Sequence, residues 1–236
     1  MIRFLPALAL LLLSVPAGAA DRTYSIGSFD RIRVEGPFEV HLATGKSPGA
    51  RAEGAARATE GLDIRVEGTT LIVRAGLNGW GEQPVAGTTG APVIRVSTLM
   101  IRSATVIGGG QLSIEGAVKG QRVDLSVTGS GTLGAAGLDA DQLNATVLGS
   151  GGMKLGGRAA KVRLLTSGAG TIDAARLSAG DLILRLDGPG ETRASARFTA
   201  DVTTTGIGAA TVYGTPACTV KATAGGPISC GKLAKP

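Results

Sequence analysis

The sequence predicts an all-β fold, mainly a parallel β-solenoid (β-helix) with about 19–20 residues per coil and an N-terminal β-cap. Three observations predict it. First, one phrase keeps returning: Val106-Ile-Gly-Gly-Gly, Val127-Thr-Gly-Ser-Gly, Val147-Leu-Gly-Ser-Gly, Thr166-Ser-Gly-Ala-Gly, Leu186-Asp-Gly-Pro-Gly, Thr204-Thr-Gly-Ile-Gly and Thr223-Ala-Gly-Gly-Pro. Its leading glycines, Gly108, Gly129, Gly149, Gly168, Gly188, Gly206 and Gly225, are spaced by 21, 20, 19, 20, 18 and 19 residues, the mark of a stacked repeat. Second, apolar residues recur at matched offsets. Leu112, Leu133, Met153 and Ile172 stand four places after their glycines, fading to Thr192 and Ala210. Leu143, Leu182, Val202 and Val220 stand fourteen places after, with Val123 and Val162 one place off. Third, the runs between glycines alternate, as in Leu182-Leu184-Leu186 and Val123-Leu125-Val127, which is the period of a strand.

Residues 1–20 read as a secretory signal. Arg3 supplies a positive start, Phe4 to Val15 an apolar core, and Ala17-Gly-Ala-Ala a small-residue cleavage site. The apolar run is too short to span a bilayer before Pro16 and Gly18 interrupt it, and no cysteine follows for lipid attachment. The mature chain is therefore expected to be extracytoplasmic, periplasmic or secreted, and not membrane-spanning. Removing the segment takes away Arg3 and no acid, leaving 23 Lys+Arg against 18 Asp+Glu. The surplus is scattered, with Arg158, Lys161 and Arg163 the densest group. That favours solubility and weak attraction to polyanions, and it is not the clustered stripe expected for nucleic-acid binding.

Residues 21–75 are expected to form the cap over the open end of the stack. Ile32 and Val34 alternate, Gly36-Pro37 bends the chain, and Val40 with Leu42 resumes the alternation. A hairpin follows, out through Leu62-Ile64-Val66, round Glu67-Gly-Thr-Thr and back through Leu71 to Val73. Residues 76–92 form a Gly/Pro-rich loop carrying Trp80, the one tryptophan. It reads either as a partner-contacting loop with an aromatic anchor or as a linker whose tryptophan packs on the solenoid flank. Residues 93–236 are the solenoid repeats, continuous with the cap. Glycine in the repeated phrase suits corners that need positive φ at the same place in every coil. A phosphate-cradling role needs a helix after the glycines, and none with a 3.6-residue period follows.

Phe29-Asp-Arg-Ile-Arg-Val-Glu-Gly, Thr98-Leu-Met-Ile, the recurring Gly-Ser-Gly and the closing Val212-Tyr-Gly-Thr-Pro resemble the head GIN domain family, a domain of unknown function labelled as an autotransporter adhesin head. The resemblance covers nearly all of the mature chain. It implies a β-solenoid in a bacterial cell-envelope or secreted setting and carries over no catalytic residue. The variants Gly-Gly-Gly at 108, Gly-Ala-Gly at 168 and Gly-Pro-Gly at 188 still suit corners.

Chemistry is sparse. The single histidine, His41, sits in Phe38-Glu-Val-His-Leu on the face opposite Val40 and Leu42, where a lone histidine is usually surface. Asp139, Asp141, Asp181, Asp187, Glu191 and Asp201 do not recur at one offset, and solvated surface accounts for them better than a glycosidase pair. Calcium repeats of the Gly-Gly-x-Gly-x-Asp type are absent, and cysteine and histidine are too few for zinc or haem. No cofactor, metal or catalytic residue is expected. Cys218 and Cys230, twelve apart in a chain read as secreted, are expected to form a disulfide tying down the last coil.

The expected function is a non-enzymatic binding, adhesion-like or scaffold module at the envelope, its partner an envelope protein or a surface glycan. The alternatives are a polysaccharide-acting β-helix enzyme, needing converging acids, and a structural repeat that self-associates end to end.

Overall fold

The computed structural model describes residues 19–76 and 92–232. Trp80 and most of the 76–92 loop, and all but the last two residues of the signal segment, lie outside the described residues.

The repeats are a three-sided β-solenoid with mostly parallel pairing. Strand β8 (Ser103–Gly108) opens the first face and β9 (Gln111–Glu115) the second. From β10 (Val118–Gly129) onward the strands run round corners. These are β11 (Thr132–Gly149), β12 (Gly152–Ser167), β13 (Thr171–Asp187) and β14 (Glu191–Thr204). Each lies parallel and almost in register on the last, Val127 on Val106, Val147 on Val127 and Leu164 on Ala145. Register shifts fall at the corners, between Ala135 and Leu138 and between Lys154 and Gly156. The inward rows are the apolar offsets of the sequence: Leu112, Leu133, Met153, Ile172, Thr192 and Ala210 are all buried. In-register stacking places like side chains over like, so each coil buries the row below it.

The two glycines of the corner phrase serve different ends. Gly129 has φ +106, a conformation that L side chains rarely adopt. Gly131 has no such φ, but a Cβ there would sit 2.5 Å from the Gly110 carbonyl oxygen. The tight stacking lets Ser130 and Gly131 both donate N–H to the Gly108 carbonyl at 3.0 and 2.7 Å, and Thr132 to that of Gly110 at 2.8 Å. Gly108, Gly149, Gly168 and Gly188 share the positive φ of Gly129. Gly206 and Gly225 do not, which departs from the expectation. At Gly206 a side chain would overlap the Gly188 backbone, so close approach is the reason there; at Gly225 a Cβ would meet nothing.

Part of the segment expected as an end layer lies inside the stack. Strand β2 (Arg31–Glu35) pairs in parallel with β8 on one side and β6 (Thr70–Ala75) on the other. Strand β3 (Glu39–Thr44) does the same between β9 and β7 (Val93–Thr98). The corner between β2 and β3 is Gly36, φ +117, directly beneath Gly108. The chain therefore lays down one rung, leaves, returns as β6 and β7 beneath it, and crosses to build upward. Covering the lower end falls to antiparallel strands. Strand β5 (Leu62–Glu67) lies on β6 through the Gly68 hairpin, β4 (Gly49–Ala55) on β7, and β1 (Ala19–Tyr24) on β4. A single-turn helix α1 (Ala56–Glu60) joins β4 to β5, and the Tyr24 hydroxyl donates to the Thr59 carbonyl at 3.2 Å.

At the other end β15 (Ala209–Gly214) continues the second face, and β16 (Ala217–Ala222) and β17 (Ile228–Lys232) form the last rung. Every residue of β16 is exposed. Val220, fourteen places after Gly206, stacks on fully buried Val202 yet is itself 45% exposed, because no rung among the described residues lies over it.

Candidate binding groove

Alternation along each strand sends every second residue outward. On the second face one outward ladder reads Arg95, His41, Ser113, Gly134, Lys154, Asp173, Arg193 and Thr211. Beside it runs Val93, Glu39, Gln111, Thr132, Gly152, Thr171, Glu191 and Ala209. Long side chains at Glu39 and His41 and again at Lys154, Glu191 and Arg193 flank short ones at Ser113, Gly134, Thr132 and Gly152. The surface is accordingly hollowed into a groove of about 450 Å³, walled by Glu39 and His41 on one side and by Lys154, Asp173, Glu191 and Arg193 on the other. It shares His41 with a concavity of about 500 Å³ towards β4 and β7. Around Ser113, Gly134, Lys154 and Asp173 it joins another of about 380 Å³ reaching Arg176. Together they make a trough across the strands, along the axis of the stack.

The walls hold donors and acceptors of both signs. His41 Nε2 lies 2.9 Å from Glu39 Oε1. Its Nδ1 is buried and has no hydrogen-bond partner among the described residues, with Glu115 Oε1 3.6 Å away. Arg193 Nε donates to Glu191 Oε1 at 2.8 Å, and that bond, helped by the charge of Glu191, raises the guanidinium pKa. Asp173 accepts the Ala175 backbone N–H at 3.2 Å. Lys154, in register between Gly134 and Asp173, makes no ion pair within 4.0 Å among the described residues.

A second hollow, about 660 Å³, lies on the first face among Arg122, Asn144, Lys161, Arg163, Asp181 and Asp201. Its charges are only partly paired: Arg122 and Asp181 have partners, while Lys161, Arg163 and Asp201 make no hydrogen bond or ion pair among the described residues. Asp124 takes the Asn144 side-chain N–H at 2.7 Å and the Arg122 guanidinium at 3.1 Å. Asp181 takes the Thr199 hydroxyl at 2.6 Å.

Of the other acids singled out in the sequence, Asp139, Asp187 and Glu191 are tied to neighbours, whereas Asp141 and Asp201 make no hydrogen bond or ion pair among the described residues. Arg158 from the next coil grips Asp139 with two bonds of 2.7 and 2.9 Å, which lower its carboxyl pKa. Asp187 accepts the Thr205 hydroxyl at 2.8 Å. Asp181 and Asp201 line one hollow from adjacent coils, and the described residues contain no cluster of three metal-ligating side chains. His41 does face outward, at the groove wall. The groove itself left little trace in the sequence; its one signal is that Gly134 and Gly152 stand outside the corner phrase, inside strands.

Cys218 and Cys230 are joined by a disulfide, their Cα atoms 6.3 Å apart. They belong to one rung: Cys218 stacks on Ala200 of the first face and Cys230 on Val212 of the second. The bond thus spans the interior of the last coil from face to face. Among the described residues no helix is long and apolar enough to cross a membrane.

Several solved structures share this architecture. A "putative adhesin" from Bacteroides fragilis NCTC 9343 superposes with a TM-score of 0.79 at 20% identity, covering 90% of this chain and 96% of that one. A "putative lipid binding protein" from Parabacteroides distasonis ATCC 8503 gives 0.73 at 18% identity, with 91% and 97% covered. A further adhesin of that description from the same organism gives 0.72 at 15%, with 91% and 97% covered. At these identities the likeness is one of fold. No curated protein matches the sequence. The family model "putative auto-transporter adhesin, head GIN domain" matches residues 28–216, most of the chain. The protein belongs to the head GIN domain family.

Proposed function

We propose that this protein is a non-enzymatic, adhesion-like binding module of the bacterial cell envelope, exported by its N-terminal segment, and that it makes its contact through the second face. The observation that carries this is the trough itself: a continuous hollow across several coils, with polar groups on both walls still able to accept a ligand. The family's description and the adhesin structures of the same fold support the reading. So does the committed state of Asp139, Asp181 and Asp187, since a general acid or base must be free to meet a substrate.

Capture from a cell-envelope extract tests it. The chain from residue 21 onward is immobilised beside Gly134→Gln, which fills the groove, and beside a variant lacking residues 78–90, which removes the second proposed contact, Trp80. Retention of envelope material that Gly134→Gln loses supports the second face. Loss only in the deletion variant moves the contact to the loop. No specific retention at low salt by any form sinks the binding reading.

End-to-end self-association rests on a different observation, the bare edge of β16 with Val220 exposed. A molecular mass that rises with concentration in size-exclusion chromatography, and falls back in Val220→Lys, supports it.

A further inference from the structure

Gly134 is in the wrong place for a structural glycine. It lies within β11, its φ is not positive, and a Cβ built on it meets nothing within 4 Å. The corner glycines from Gly108 to Gly206 are required by φ or by the backbone of the coil beneath them; Gly134 is required by neither. Glycine weakens a strand, and inside one it often marks a place where something outside the fold comes close to the backbone. Gly152, its neighbour across β12, would accept a Cβ with only ordinary contacts, 3.4 Å to Thr171 Oγ1 and 3.8 Å to Thr132 Cγ2. Both line the groove.

The walls define the occupant's chemistry. Within reach of Gly134 and Gly152 stand three carboxylates, Glu39, Asp173 and Glu191, against Lys154, Arg193 and the imidazole of His41. The signs nearly cancel and alternate from coil to coil along Lys154, Asp173 and Arg193. A polyanion would meet Glu39, Asp173 and Glu191, and a polycation would meet Lys154 and Arg193; either would be repelled by half of the lining. An acyl chain would strip water from these charged groups without giving back hydrogen bonds, which is costly. A neutral polyhydroxylated ligand avoids both penalties, since each hydroxyl donates and accepts. The trough crosses the strands rather than following an edge, so the occupant is held by side chains and not by strand addition.

We propose that the groove over Gly134 and Gly152 binds an uncharged oligosaccharide, seated on the bare sheet and held by Lys154, Asp173 and the His41–Glu39 pair. This rests on the second-face reading above and names its ligand class. The lining offers no aromatic platform other than the imidazole, so a single site binds in the millimolar range and tight attachment comes from many copies on one polymer.

The test titrates the isotope-labelled chain from residue 21 with chitohexaose, cellohexaose and maltohexaose, with hexagalacturonate as the anionic comparison and phosphatidylcholine vesicles as the lipid one. The expected result is saturable amide shifts for at least one uncharged hexasaccharide, centred on Ser113, Gly134, Gly152 and Lys154. These should vanish in Gly134→Gln and weaken about tenfold in Lys154→Ala, a lost charge-assisted bond. Gly134→Gln should keep wild-type thermal stability, because its side chain enters open space; Lys154→Ala gives an independent reading if it does not. Shifts that survive Gly134→Gln, or that centre on the first face, overturn the site. Preferential binding of hexagalacturonate or vesicles overturns the ligand class. If no hexasaccharide binds while Gly134→Gln still abolishes envelope capture, the class falls and the groove reading stands. If capture is also unchanged, both fall.

Discussion

Arg102 holds Asp30 twice: its backbone N–H donates to the Asp30 carbonyl at 2.8 Å, and its guanidinium meets the Asp30 carboxylate. The two residues are 72 apart in sequence, and their contact joins the rung of β2 and β3 to the strand β8 laid over it.

The Asp30 carboxyl pKa is lowered, first by the hydrogen bond from Arg102 and then by the Thr69 hydroxyl and the nearby positive charges. A carboxylate depressed in the folded state stabilises the fold above its unfolded pKa, and the contribution is lost as pH falls through the folded value. Arg102→Ala should therefore cost about 0.5–1 kcal/mol at pH 7, a modest figure because the arginine is mostly exposed. The gap to wild type should close in acid. Urea unfolding at pH 7 and at pH 2.5 measures it, and an equal gap at both would refute the assignment.

Two glycine-to-alanine changes should separate the two kinds of glycine. Gly129→Ala must hold an alanine at φ +106 with its Cβ 2.9 Å from the Gly108 carbonyl oxygen, a cost of about 1–3 kcal/mol or more. Gly134→Ala has neither burden and should gain about 0.5 kcal/mol by removing backbone freedom from the unfolded chain. Denaturation midpoints decide it, and similar losses at both sites would remove the distinction.

Thr204 is fully buried on top of Leu186, and its hydroxyl oxygen has no partner among the described residues. Thr204→Val keeps the shape and removes the unsatisfied group, for an expected gain of about 1 kcal/mol. Thr166, buried in the same core, bonds Thr192 hydroxyl to hydroxyl at 2.9 Å, so Thr166→Val should lose stability instead. Matching changes of sign in the pair would contradict the hydrogen-bond assignment.

The Cys218–Cys230 bond closes a twelve-residue separation, worth about 3 kcal/mol in the chain-entropy picture. Because it lies in the last rung, reduction should loosen β16 and β17 while leaving β10 to β13 protected in hydrogen exchange. Alkylation without reductant followed by intact mass should find no free thiol. Two labelled cysteines would discard the bond.

The stacking of residues 103–222 was legible because each coil repeats its own corner, and a corner glycine followed by an apolar residue four places on fixes both turn and inward row. The rung of β2 and β3 was not legible. Its corner, Gly36-Pro37-Phe38, has one glycine where the repeats have two, and nothing local in Ile32 or Val34 says which strands will flank them. Its neighbours β6 and β8 are chosen by the path of the chain. The groove was hidden for another reason. Gly134 and Gly152 differ from corner glycines such as Gly129, Gly131, Gly149 and Gly151 in what a Cβ would have touched, and that is a property of the assembled coils.

The rung of β2 and β3, flanked on one side by β6 and β7 and on the other by β8 and β9, divides the chain by its folding behaviour. Above β10 each coil meets the one made about twenty residues earlier, and closing so short a loop is cheap. The first rung must instead stay unpaired until residues 70–115 have followed it. Contacts that distant slow folding, and they tie residues 19–115 into one cooperative nucleus. The later coils can then add to it one at a time, as a zipper closes. Deleting a whole coil between β11 and β14 should shorten the molecule and leave it folded, whereas deleting residues 31–44 should leave the rest with nothing to grow from.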